Sequence, residues 1–288
     1  MLRQMRFSLN TISNVRPLLF KAGLLALLAA MCSTGDAAAR LLITRQNNEQ
    51  LTSIQREIER QRQRLKSEDI EDRRDALMRL GNLKRPDAAR VAAAGLTDVA
   101  PMVRVTAAHA VLSLPQAEAA TLLLPLLQDK LEFVRREAAY ALGETRSRTA
   151  VAPLASVLLG DKEMGVRGAA AVALGEIGDE SAVEPLSQVL TGQSQKKKVR
   201  AGENQFVMRA AARSLGQIKS RSGIGVLIAT LSNDEIDIDV RRVAATALGL
   251  IGDASAGPAL QAAFTSSDPY LSEAARAALR RLKLTTKN

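Results

Sequence analysis

One histidine, His109, and one cysteine, Cys32, stand in a chain of 288 residues. A zinc site built on several His, a Cys–His nucleophile pair, a four-cysteine metal site and an internal disulfide each need a second group that a single chain here does not carry. No catalytic residue, metal site or cofactor is therefore expected, and His109 reads as an incidental surface or groove side chain. What the sequence holds in quantity is charge, with 40 Lys and Arg against 30 Asp and Glu and a formal net charge of +10. Arginine suits carboxylates, phosphates and aromatic faces. The chemistry within reach is recognition of an acidic surface, and what matters is which elements array the arginines.

Those elements repeat. The unit is V-R-x-x-A-A-x-A-L-G-x-I-G-D, a short link, then A-V-x-P-L-x-x-x-L and a polar loop, with its clearest copies from Val134, Val166 and Val240. Weaker copies start at Asp72, Val103 and Val207 and a half-copy at Leu271, so the intervals are 31, 31, 32, 41, 33 and 31 residues. With the first Val as position 0 and 100° per residue, positions 0, 4, 5, 7, 8 and 11 form one apolar helical face. Gly at position 9 or 12 followed by Asp is expected to stop this helix and start the next, and Pro suits the first turn of the second helix. A hairpin that cannot bury its own stripe must stack on its neighbours. The small Ala residues bring helices close, which accounts for an aromatic content of only 2%.

This unit resembles HEAT repeats, specifically the short subtype first noticed in phycobilisome bilin lyases. The resemblance implies an all-α, right-handed α-solenoid of about six repeats and a terminal half-repeat over residues 72–282, with 283–288 as a tail. It also implies that the V-R helices line the concave side. Repeat arrays of this kind serve mostly as binding scaffolds, and the fold carries no chemistry by itself.

Opposite the apolar stripe lies position 6, flanked by positions 2, 3 and 10. Position 6 carries His109, Tyr140 and Arg213, and position 2 carries Arg136, Arg209 and Arg242. These residues define a candidate basic groove, the alternative being an ordinary solvated face. At position 1, Arg104, Arg135, Arg167 and Arg241 recur six or seven residues after Asp98, Asp129, Asp161 and Asp234. Repetition in every layer points to a structural ladder tying successive loops. The one long interval falls in Gly192–Gln205, read as an insert loop, where Lys196, Lys197, Lys198 and Arg200 cluster. It is either a solvated loop or a contact for anionic lipid or polymer.

Ahead of the array, residues 1–39 have the order of a secretory signal peptide: Arg3, Arg6, Arg16 and Lys21, an apolar run from Ala22 to Met31, then Ala37 and Ala39 in an A-x-A pattern. Cleavage after Ala39 is expected; lipidation at Cys32 and an uncleaved anchor are the alternatives. The leader holds +3 of the net charge and leaves +7 on residues 40–288. Residues 40–71 read as a charged N-terminal helix that caps the first repeat, or alternatively forms a short coiled coil.

These observations favour an exported, non-enzymatic protein–protein interaction scaffold, periplasmic or in the cell envelope, with an acidic partner. A membrane surface or anionic envelope polymer is a further partner class. A lyase-type subunit, by resemblance to the bilin lyases, and a nucleic-acid binder are the alternatives, the latter opposed by the leader and the absence of Trp for stacking. HEAT-like hydroxylase chemistry, with its several His–Glu pairs, does not fit a chain with one His.

Overall fold

The computed structural model describes residues 52–192 and 201–285. The leader with Cys32, and Lys196, Lys197, Lys198 and Arg200 of the insert, lie outside the described residues. The chain divides into two compact units, Met1–Glu59 and Arg60–Asn288. In the first, the described residues 52–59 are helical. The second opens on a helical segment, α1 (60–64), and its described residues continue in helices, turns and short links.

Seven V-R helices follow: α2 (Ile70–Asn82), α4 (Pro101–Ala110), α6 (Glu132–Thr145), α8 (Met164–Ile177), α10 (Ala201–Ile218), α12 (Ile238–Ile251) and α14 (Pro269–Thr285). Between them lie the partners α3 (Pro86–Ala92), α5 (Gln116–Leu123), α7 (Val151–Gly160), α9 (Val183–Leu190), α11 (Ile224–Ser232) and α13 (Gly257–Phe264). From α6 on, each V-R helix packs on the partner helix that precedes it, and from α2 to α14 successive V-R helices pack on one another, which gives the two-layer stack of an α-solenoid. Residues 201–205, read as part of the insert loop, are helical instead, because α10 begins at Ala201 and runs 18 residues where α8 runs 14.

The repeated Asp starts each layer. Asp98, Asp129 and Asp161 accept from the backbone N–H of Ala100, Leu131 and Glu163, a local turn that leads the chain into the next V-R helix. At the other end, position 12 takes the left-handed conformation: Gly178 and Gly252 at φ 72° and 75°, but also Lys84, Arg146 and Lys219 at φ 49°, 52° and 58°. The helix stop is thus a backbone state that three layers adopt without glycine.

Position 9 does something else. It lies inside the helix, and a Cβ on Gly143, Gly216 or Gly249 would sit 2.7–2.8 Å from the Cα of Ala173, Ala247 or Ala278 in the next layer. Glycine there sets the spacing of the stack and does not end the helix. The core matches this closeness: the largest fully buried side chains are all leucines. None of the described aromatics, Phe133, Tyr140, Phe206, Phe264 and Tyr270, is buried. No described helix is long and apolar enough to cross a membrane.

Candidate functional site

Two arrays of arginine leave the V-R helices in different directions. The first runs along the loop edge. Arg104 donates through Nε and Nη2 to both oxygens of Asp129, 2.7 and 3.0 Å, and through Nη1 to the carbonyl of Asp98, 2.7 Å. Arg135 repeats this on Asp161 and the Asp129 carbonyl, and Arg73, one layer earlier, on Asp98 and the Ser67 carbonyl. Each guanidinium thus closes its own loop and clamps the carboxylate of the loop 25 or 26 residues ahead. Arg167 binds the carbonyls of Asp161 and Lys162 in the same way. Burial pushes the Asp98 and Asp129 carboxyls up, but the arginine pair, a backbone N–H and nearby guanidinium charge outweigh it and hold both below the usual range.

The ladder changes register near its end. Position 1 of α10 is Met208, and Arg241 binds Asp234 and the Leu231 carbonyl of its own loop. The forward clamp is made by Arg242, one position on, which grips Asp268 at 3.0 and 2.6 Å. Arg242 also pairs with Asp239 and stacks 5.1 Å over the ring of Tyr270. Arg242, expected in the groove, therefore serves as a rung, and its charge is already compensated.

The second array faces the groove. A surface cavity of about 580 Å³ takes side chains from four successive V-R helices: Tyr140 of α6, Val172 of α8, Phe206, Arg209 and Arg213 of α10, and Asp239 and Arg242 of α12. Arg213 is exposed and makes no ion pair with the described residues. Arg209 has one long contact, 3.5 Å to Asp239. Arg136 sits outside the cavity, 5.5 Å over Phe133 and 3.4 Å from Glu137. His109 lies farther along, half exposed, 3.8 Å from the Glu137 carboxylate. Among the described residues no group of acidic, His or Cys side chains is arranged to hold a metal.

The sequence reading missed the row at position −1. One residue before position 0 lies 260° round the wheel, beside position 6 at 240°. This row reads Met102, Phe133, Gly165, Phe206, Asp239 and Tyr270. Phe206 lies across the backbone of Gly168 so closely that a Cβ there would be 2.2 Å from the ring. The signal was present, but a repeat numbered from its conserved-looking Val hides the residue in front of it.

HEAT repeats are matched over residues 58–142, 132–204 and 196–280, which together span most of the chain. No curated protein matches. Among solved structures, the chain is 19% identical to the Escherichia coli protein YibA at a TM-score of 0.53, covering 80% of this chain and 82% of that one. The complex of CpcE and CpcF of phycocyanin lyase from Nostoc aligns at 24% identity and a TM-score of 0.46, covering 80% of this chain and 94% of that one. Human deoxyhypusine hydroxylase aligns at 21% identity and a TM-score of 0.40, covering 81% and 99%. The repeat unit, the stack of helices and the family match over most of its length agree: the chain belongs to the HEAT-repeat family.

Proposed function

We propose that this protein is an exported, non-enzymatic interaction module that binds an acidic protein partner in the groove of its V-R helices. The observation that carries this reading is the cavity crossing α6, α8, α10 and α12, where Arg209 and Arg213 stand one turn apart beside the rings of Tyr140 and Phe206. Guanidinium groups with little or no compensation next to half-exposed aromatics are what a protein interface uses as anchors. The basic insert Lys196–Arg200 precedes α10, which supplies Phe206, Arg209 and Arg213 to the groove, and we assign it a supporting, salt-sensitive attraction for anionic surfaces.

The test is a crosslinking pull-down from the envelope fraction with wild type and an Arg209→Glu, Arg213→Glu variant, read by quantitative mass spectrometry. Loss of an acidic partner in the variant is expected; an unchanged partner set removes the groove from consideration. N-terminal sequencing of the purified protein tests export. A chain starting at Arg40 supports cleavage after Ala39, a blocked Cys32 replaces it with lipidation, and intact Met1 in the cytosol overturns export.

A further inference from the structure

The middle of the groove has a direction as well as a charge. In layer four its floor is Gly165 and Val172, with Gly168 under the ring of Phe206 and Ala169 buried beneath, and no charged side chain stands among them. Layers in a helical stack lie 8–10 Å apart axis to axis, so the axes of α6 and α10 are about 18 Å apart, a span along which one segment of helix or extended chain can lie against the side chains of both. Along this floor the walls change sign. At the end where α6, α8 and α10 begin stand Arg136 and Arg209, with Arg213 a turn further on; Arg136 leans over the floor, its Cδ 3.8 Å from where a Cβ of Gly165 would be. At the other end, position 10 is Glu144 on α6 and Glu176 on α8. The Glu176 carboxylate leans back over Gly143, toward Glu144's layer. Eleven residues of α8 separate Gly165 from Glu176, about 16 Å of helix. The parallel helices add their dipoles to this polarity, positive at the arginine end and negative at the glutamate end.

We infer that this part of the groove takes one segment of a partner protein whose charge changes sign along its length: carboxylates at Arg136, Arg209 and Arg213, an apolar side chain on Phe206 and Tyr140, and a cation at Glu144 and Glu176. The inference rests on the reading of the groove as a protein-binding site. It commits the partner to a basic group as well as acidic ones, set one to three helical turns apart. Burial, and then the neighbouring Glu144, push the Glu176 carboxyl up against the smaller opposing pull of Arg146, so a further cation beside it would be favourable.

Three synthetic peptides of about 16 residues, long enough to cover the floor as a helix, share an aromatic and leucine centre. One runs acidic, apolar, basic; the second has the same composition with charges alternating; the third is acidic at both ends. Calorimetric titration of wild type should show the first binding about tenfold tighter than the other two, and less so at high salt. A Glu144→Lys, Glu176→Lys variant should transfer the preference to the doubly acidic peptide. The milder Glu144→Gln, Glu176→Gln variant should erase the preference with helical content unchanged by circular dichroism. If wild type binds the doubly acidic peptide as tightly as the first, the polarity is overturned while the acidic-partner reading stands. If no peptide binds, or Arg209→Glu, Arg213→Glu changes none of the affinities, both are overturned.

Discussion

Single residues set the spacing and the ends of this stack, and two of them invert an ordinary expectation. Replacing a helical glycine by alanine normally stabilises a helix by about 1 kcal/mol. Gly249→Ala should do the opposite, because its Cβ would meet the Cα of Ala278 at 2.7 Å, and backbone cannot step aside. A loss of about 1–3 kcal/mol is expected from overpacking, seen as a lower urea midpoint; a midpoint at or above wild type contradicts the close-approach role. Conversely, Lys219 holds φ 58° without needing its side chain there. Lys219→Gly should stabilise the fold by about 0.5–1 kcal/mol once the greater freedom of unfolded glycine is counted, read as a higher thermal midpoint. The sequence displayed the glycines plainly but gave no means of telling the one at position 9, which spaces layers, from the one at position 12, which turns the chain. The two jobs differ only in which neighbour stands opposite.

At the scale of elements, helix positions and their pairing into hairpins were legible because the 3.6-residue period and the repeat reinforce each other. The recurrence of Asp and Arg was equally legible. Which Asp each Arg reaches was not, since the bidentate partner sits one layer ahead at 25–26 residues, a separation fixed by stacking. Nor was the shift from Arg241 to Arg242, which comes one layer after Met208 stands in place of a rung. That shift ties one arginine of the expected groove, Arg242, into the ladder while it still lines the cavity, and Phe206 enters the groove from a position the repeat numbering leaves out. The ladder has a signature in acid. With its pKa lowered in the folded state, Asp129 contributes stability that is full above the unfolded carboxyl value of about 3.9 and is lost as pH falls through the folded one. Arg104→Gln should cost roughly 3 kcal/mol at pH 7 by stranding a carboxylate whose side chain is only 10% exposed. The gap to wild type should narrow below about pH 3.9. Thermal melts at pH 7 and pH 3 check this; an equal gap at both would mean that charge is not what the pair supplies.

For the whole molecule, α14 departs from the layers before it. In the inner layers from α4 on, position 5 is a buried Ala and position 9 is Gly in all but one, and both face the next layer. In α14 these positions are Arg276 and Arg280, while position 7, Ala278, still packs back on Gly249. The ladder position is Ser272, which turns to bond the Phe264 carbonyl. A polar face of this kind is what a solenoid needs where stacking ends. Arg276→Ala with Arg280→Gly should restore a stackable face, and light scattering should report self-association that wild type lacks at equal concentration. The leucine and alanine core has one more consequence. The chain has no Trp, and its two tyrosines, Tyr140 and Tyr270, stand in the groove and beside the final rung. Its tyrosine emission therefore comes from two surface side chains and none in the core: Tyr140 will report on anything that enters the groove, and a tyrosine-detected melt can miss what the interior is doing.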